Sequence, residues 1–123
     1  MALPELSHEE KISESIKLKE EANIFFKKNQ YDKAIQYYTS AIDTYPDPRD
    51  ENDSPCPAAF FSNRSFAYLK NDCPAAALKD AQECIDKDKN FIKGYYRRAS
   101  ANMLLRNLDK AFKDYELGLV CFN

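Results

Sequence analysis

Glycine is scarce in this sequence, since only Gly94 and Gly118 occur among 123 residues, together with six prolines. Residues that disfavour helices are therefore few, whereas alanine, lysine and glutamate, which favour them, are abundant. A hydrophobic fraction of 44% in a chain of this length is enough for one domain and too little for two. We therefore predict an all-α fold in one domain.

Groups that catalyse or hold metals are also scarce. His8 is the only histidine, the four cysteines include no Cys-x-x-Cys pair, and the two glycines are isolated from each other. Catalysis needs a nucleophile or base beside an orienting partner, a metal, or a glycine loop that holds phosphate. A structural metal site needs clustered cysteines and histidines. We predict no enzymatic activity for this chain, no metal and no cofactor.

The sequence has no apolar run near the roughly 20 residues of a membrane span. Its N-terminus also lacks the basic-then-apolar layout of a signal peptide. The formal net charge is −2, whereas domains that bind nucleic acid present a basic face. We predict no membrane and no nucleic-acid partner, and a cytoplasmic location with a nuclear one also open.

Similar residues recur along the chain at an interval of 43 residues and then of 34. One column holds the large residues Leu18, Phe61 and Tyr95. Four further columns share the spacing: Ala22, Ser65 and Ala99; Ala34, Ala77 and Ala111; Tyr38, Ala81 and Tyr115; and Ala41, Cys84 and Gly118. A 34-residue period is typical of stacked helix-turn-helix repeats, in which small residues let two helices approach closely. We predict three such repeats.

The repeats set the predicted domain limits. Residues 1–14 hold an N-terminal lead-in and the start of the first helix, and residues 15–123 hold the repeat domain. Its repeats cover about 15–48, 58–91 and 92–123. The nine additional residues of the first interval lie at 47–57, where acidic residues and prolines predict an exposed, flexible loop.

Two further signals concern the ends of the chain. Ser7 and Glu10 have the form of a capping box, which predicts a helix that starts near His8. At the other end, the last helix of a repeat array exposes apolar side chains unless something covers them. Because Phe112 and Phe122 are such side chains, with Leu119 between them, we expect the natural chain to continue.

Two cations, Lys93 and Arg97, are spaced by one helical turn. A like-charge pair at this spacing costs roughly 0.2–0.5 kcal/mol unless an anion meets it. Lys19 and Asn23 have the same spacing, and Asn63 lies between the two pairs in sequence. Lysine and arginine supply charge-assisted hydrogen bonds, and asparagine supplies an amide N–H without added charge. We predict that these five residues bind one anionic group, a chain-terminal carboxylate with a neighbouring acidic side chain.

The neighbouring Arg98 receives a different prediction. Arg64 and Arg98 are 34 residues apart, as are Asp80 and Asp114, so each arginine has an aspartate 16 residues later. We predict a structural ion pair within each of the second and third repeats. Loss of such a buried pair lowers stability as well as binding.

The repeat columns resemble the tetratricopeptide family, and the resemblance covers residues 15–123. Its first set of motif residues is Leu18, Ala22, Tyr31, Ala34, Tyr38, Ala41 and Pro46. The sequence departs from the family pattern at Pro74, Leu108 and Lys89. The resemblance implies a right-handed superhelix in which the first helix of each repeat lines a concave peptide-binding groove. Four groove residues are expected as accessory peptide contacts: Phe26, Phe66, Lys70 and Met103.

The five polar candidates resemble the two-carboxylate clamp of the tetratricopeptide co-chaperones. These proteins bind the Glu-Glu-Val-Asp tails of the cytosolic heat-shock proteins 90 and 70. The resemblance implies that Lys93 and Arg97 serve an acidic side chain of the tail. It also implies that the terminal Asp is held by Lys19, Asn23, Asn63 and Lys93. The run Ile-Lys-Gly-Tyr-Tyr-Arg-Arg at 92–98 resembles in particular the family members fused to a serine/threonine phosphatase domain.

Three functions are therefore open at this point. The chain is an adaptor that docks a chaperone tail, a regulatory domain that covers a fused catalytic domain, or a scaffold that binds a partner helix through an apolar groove. The five polar candidates favour the adaptor. The exposed C-terminal side chains are the hint for the regulatory domain.

Overall fold

Helices account for all regular structure in residues 5–122, which are the residues described by the computed structural model, with side chains to Gly118. The all-α prediction is confirmed. The chain divides into two units, Met1–Cys56 and Pro57–Asn123. Among the described helices, none is long and apolar enough to cross a membrane.

The first unit contains α1 (His8–Lys27) and α2 (Tyr31–Thr44). The predicted capping box is confirmed, because Oγ of Ser7 accepts from the backbone N–H of Glu10 at 3.1 Å. The Glu10 carboxylate in turn accepts from the backbone N–H of Ser7 at 3.1 Å. These bonds favour the ionised carboxylate and lower the pKa of Glu10.

Small residues bring α1 and α2 close together. Ala22 of α1 is fully buried, as are Ala34 and Ala41 of α2. Where the helices meet, the hydroxyl of Ser15 donates to the carbonyl oxygen of Ala41 at 2.5 Å. Because that serine is also fully buried, the bond satisfies a polar group that would otherwise be costly to bury.

The segment predicted as an exposed, flexible loop is mostly exposed but is tied to α1. Within it, Nε of Arg49 lies 2.8 Å from Oδ2 of Asp53, and hydrogen bonds from this arginine lower the pKa of Asp53. Oδ2 of Asp53 is also 3.5 Å from Nε2 of His8, and Arg49 reaches the carboxylate of Glu9 at 3.4 Å. The loop therefore has specific contacts with the start of the first helix, which its composition alone does not predict.

The second unit contains four helices: α3 (Ala58–Lys70), α4 (Pro74–Lys87), α5 (Ile92–Leu104) and α6 (Leu108–Phe122). Consecutive helices are neighbours, and α3 also contacts α5. Pro74 is the first residue of α4, where its missing N–H costs no helical hydrogen bond.

Two buried ion pairs join the helices of the second unit, as predicted. Arg64 of α3 contacts Asp80 of α4 through Nη2–Oδ1 and Nε–Oδ2 distances of 2.7 and 2.8 Å. Arg98 of α5 contacts Asp114 of α6 with the same two distances. Each arginine therefore binds both oxygens of its aspartate, which is the strong bidentate geometry for this pair of groups.

The turn inside each helix pair uses a left-handed residue that is not glycine. The residues are Asn29, Asp72 and Arg106, with φ values of 62°, 61° and 67°. Their spacing is again 43 and then 34 residues. The next backbone N–H reaches back five residues, as from Asn107 to the carbonyl of Asn102 at 2.8 Å. This bond closes the end of the helix in the manner of a Schellman motif.

The predicted limits of the lead-in and of the three repeats stay predictions. Phe112 is 56% exposed, in agreement with its expected position on an uncovered face. The other two side chains of that expectation, Leu119 and Phe122, lie outside the described side chains.

Candidate functional site

Two candidate residues, Lys19 and Asn23, lie one turn apart on α1 and therefore share one face of that helix. Both are partly buried. The hydroxyl of Tyr38 on α2 donates a hydrogen bond to Oδ1 of Asn23. Because an amide has one accepting and one donating end, this bond leaves the two Nδ2 hydrogens of Asn23 as donors for another group.

The other three candidates belong to the second unit. Asn63 is partly buried on α3, Lys93 is exposed in the first turn of α5, and Arg97 lies one turn after it. No side chain caps the N-terminus of α5. The free N–H groups and partial positive charge of a helix N-terminus therefore add to the charge of Lys93. This end of α5 is suited to bind an anion.

Gly94 sets α5 close against α4. A Cβ atom at this position would lie 3.0 Å from Cγ1 of Ile85 and 3.1 Å from Sγ of Cys84. A larger residue would force the two helices apart and would move the adjacent Lys93. The glycine thus fixes the height at which the cationic turn of α5 stands above α4.

Arg97 is packed against an aromatic ring. The central carbon of its guanidinium lies 3.9 Å from the ring centroid of Phe66 on α3, a cation–π contact. Burial disfavours the charged form and lowers the pKa of Arg97. An arginine stays protonated even so, and the ring therefore holds a cation in a partly dehydrated position.

No carboxylate in the described part of the chain forms an ion pair with Arg97. Its Nε is buried and has no hydrogen-bond partner among the described residues. The nearby thiol of Cys84 supplies no counter-charge at neutral pH, because burial raises its pKa to about 11. Buried charges are normally paired, so this arginine has the properties of a group that awaits an anionic ligand.

The accessory candidates divide into packed and accessible side chains. Phe26 packs edge-on against Tyr31 at a centroid distance of 5.3 Å. Phe66 carries Arg97 on its ring and has Nζ of Lys70 at 5.4 Å, so it acts as a platform for cations. Met103 is 39% exposed and is therefore open to contact.

A separate cavity of about 670 Å³ lies between α4, α5 and α6. Its lining includes Leu78 and Leu117 together with the ion pair of Arg98 and Asp114. None of the five polar candidates lines it. Size alone would select this cavity as a site, but its arginine is already neutralised, whereas Arg97 is not.

Tyr38 is the residue near a candidate that the sequence prediction misses. Its column of Tyr38, Ala81 and Tyr115 indicates packing, and the residue is indeed 3% exposed. The pattern carries no information about the hydroxyl, whose direction depends on how α1 and α2 pack. The candidate roles of Lys19, Asn23, Asn63, Lys93 and Arg97 as peptide contacts stay predictions.

Comparison with known proteins identifies similar sequences and structures. Residues 20–48 match the family model described as tetratricopeptide repeat. Human serine/threonine-protein phosphatase 5 is 43% identical over 99 residues, which are 80% of this chain and 18% of that protein. The resemblance to the phosphatase members is thereby confirmed for the repeat region. The chain spans about a fifth of the length of this relative.

Two similar solved structures contain a bound peptide. One is the second TPR of Spaghetti (RPAP3) bound to the HSP90 peptide SRMEEVD, with a TM-score of 0.80 and 31% identity. The match covers 93% of this chain and 96% of that one. The other is the second TPR domain of human RPAP3 in complex with the HSP70 peptide SGPTIEEVD, with a TM-score of 0.78 and 32% identity. This match covers 90% of this chain and 85% of that one.

Proposed function

Because the chain belongs to the tetratricopeptide repeat family, we propose that it binds the acidic C-terminal tail of heat-shock protein 90, of heat-shock protein 70, or of both. The peptides in the two similar structures share their last four residues, Glu-Glu-Val-Asp. A tail of this kind offers a terminal carboxylate and acidic side chains. The proposed contacts are Lys19, Asn23, Asn63, Lys93 and Arg97.

The observation that carries this proposal is the state of Arg97. Its guanidinium is stacked on Phe66 and its buried Nε lacks a partner among the described residues. A carboxylate of the ligand would supply both the missing charge and the missing hydrogen bond. Charge-assisted bonds of this kind contribute about 1.5–3 kcal/mol each.

The remaining candidates suit the same ligand chemistry. Lys93 is an exposed cation at an uncapped helix N-terminus, where a carboxylate is favoured. Asn23 offers amide donors on the side opposite to Tyr38. Asparagine adds donors without adding to the repulsion between the cations. Met103 is accessible to an apolar side chain of the tail.

The experiment is a calorimetric titration with a synthetic peptide that ends in Met-Glu-Glu-Val-Asp, beside the same peptide with an amidated terminus. We expect micromolar binding, about −8 kcal/mol, for the free carboxylate and a loss of most of it on amidation. Equal binding of the two peptides would refute capture of the terminal carboxylate. Absence of binding to both would refute the function.

Variants locate the site. Arg97→Ala should weaken binding by roughly 10- to 100-fold, the equivalent of one charge-assisted hydrogen bond. The matched control is Lys110→Ala, which removes an exposed cation of α6 that is not a candidate. If both variants lose affinity to the same extent, the effect is one of net charge, and the assignment of Arg97 is wrong.

The proposal concerns binding and not catalysis. The matched residues cover only 18% of human serine/threonine-protein phosphatase 5, so the match carries no phosphatase activity to this chain. A partner that is cytosolic implies a cytoplasmic location for the chain, with a nuclear one also compatible. Fluorescence microscopy of the tagged natural protein would test that location.

A further inference from the structure

The hydroxyl of Tyr38 has a single acceptor in the described part of the chain. The residue lies on α2, is 3% exposed, and its only hydrogen bond there is to Oδ1 of Asn23 on α1. A buried hydroxyl that loses its acceptor is costly. The proton of this phenol is therefore directed to Asn23.

The direction of that proton decides how the asparagine amide is oriented. Rotation of the amide by half a turn exchanges its accepting oxygen for its donating nitrogen. A carboxylate only accepts hydrogen bonds, so an amide that presents its oxygen would repel the ligand instead of binding it. A donor on Oδ1 selects the orientation in which Nδ2 is available.

We propose that Tyr38 is a positioning residue for carboxylate capture, because its hydroxyl holds the Asn23 amide with Nδ2 presented to the ligand. The inference deepens the proposed function and rests on it. Tyr38 itself is too buried to contact a peptide, and it acts through Asn23.

The other repeats show that the device is specific to the first. At the equivalent position the second repeat has Ala81, which carries no hydroxyl, and its candidate Asn63 has no side-chain hydrogen bond to any described residue. The third repeat has Tyr115, whose ring lies 6.2 Å from that of Tyr96 and whose hydroxyl bonds to no described residue. Tyr115→Phe is therefore a matched control that deletes a hydroxyl from the same column.

The test is a double-mutant cycle with the Met-Glu-Glu-Val-Asp peptide, measured by calorimetry on the wild-type protein, Tyr38→Phe, Asn23→Ala, the double variant and Tyr115→Phe. We expect Tyr38→Phe to raise Kd about fivefold, which is about 1 kcal/mol. In the Asn23→Ala background the same change should leave Kd unaltered. Tyr115→Phe should bind like the wild-type protein.

Each alternative gives a different result. If Tyr38→Phe binds like the wild-type protein, the positioning role is refuted while the proposed function stands. If it loses the same factor with and without Asn23, Tyr38 acts on the fold and not on the amide, and the inference is again refuted. If the wild-type protein itself does not bind, the proposed function fails, and this inference fails with it.

A second readout needs no ligand. In nitrogen-15 NMR spectra of the free protein, the side-chain amide signals of Asn23 should shift in Tyr38→Phe, whereas those of Asn63 should not. Unchanged Asn23 signals would overturn the hydrogen bond on which the inference depends.

Discussion

Replacing Arg98 by alanine should destabilise the protein, whereas the same change at the adjacent Arg97 should not. The two residues are neighbours on α5 and carry the same charge. Arg98 binds both carboxylate oxygens of Asp114 at 2.7 and 2.8 Å and also donates to Gln82 at 2.9 Å. Arg97 has no ion-pair partner among the described residues.

The magnitude follows from what Arg98→Ala leaves behind. The side chain of Asp114 is 5% exposed and would lose its counter-charge inside the protein. Breaking a buried pair costs about 3–5 kcal/mol. Because the side chain of Arg98 is itself 22% exposed, water can replace part of the interaction, and we expect the lower limit, about 3 kcal/mol. In a chain of this size that lowers Tm by about 10 °C.

Arg97→Ala removes a stacked but unpaired cation. The contact with Phe66 stabilises the protein by about 1 kcal/mol, and the burial of an unpaired charge offsets it. We expect a change in Tm of no more than about 3 °C together with a large loss of peptide binding. The two arginines therefore separate stability from binding.

The assay is thermal unfolding followed by circular dichroism at 222 nm, with peptide binding measured on the same samples. A second variant, Arg98→Ala combined with Asp114→Ala, should recover part of the lost stability, because the unpaired carboxylate is gone. The reasoning is wrong if Arg98→Ala melts within about 2 °C of the wild-type protein, or if Arg97→Ala loses as much stability as Arg98→Ala.

Two further predictions concern backbone geometry and alkaline pH. Arg106→Gly should raise stability by about 0.5–1 kcal/mol in urea denaturation, because Arg106 has a φ of 67°, which glycine adopts without strain; a loss of stability would contradict this account of the turn. Burial raises the pKa of Tyr38 to about 12, so the folded protein keeps this proton while the unfolded chain, with a pKa near 10, releases it. Stability is full below pH 10 and should fall by about 2 kcal/mol by pH 12, a fall that Tyr38→Phe should lack when urea denaturation is repeated across this range. Equal alkaline losses in both proteins would show that Tyr38 is not responsible.

Features that depend on short stretches of chain are the ones that the sequence predicts well. The capping box of Ser7 and Glu10 spans one helical turn, and a proline at a helix start has the same meaning in any fold. The pair of Arg98 and Asp114 is longer in range, but the repeat places both residues at fixed positions of a helix hairpin. Periodicity thus converts a tertiary contact into a sequence pattern.

Other features depend on contacts that no pattern encodes. Local rules favour glycine or asparagine at a left-handed turn residue, yet the third turn uses Arg106, because the packed helices and the bond from Asn107 to Asn102 hold it there. The loop at 47–57 has the composition of a flexible segment, but Arg49 and Asp53 tie it to α1. In both cases a tertiary contact overrides a local preference.

For the candidate site, residue types and spacing alone are enough to select Lys19, Asn23, Asn63, Lys93 and Arg97. Which of these groups are committed to internal partners is a different matter. Two adjacent arginines look alike in sequence, but packing gives Arg98 an aspartate and leaves Arg97 on a phenylalanine ring. Packing also turns the Tyr38 hydroxyl towards Asn23. A charge or a hydrogen bond is satisfied by whichever atoms lie within a few ångströms, and those atoms come from distant parts of the chain.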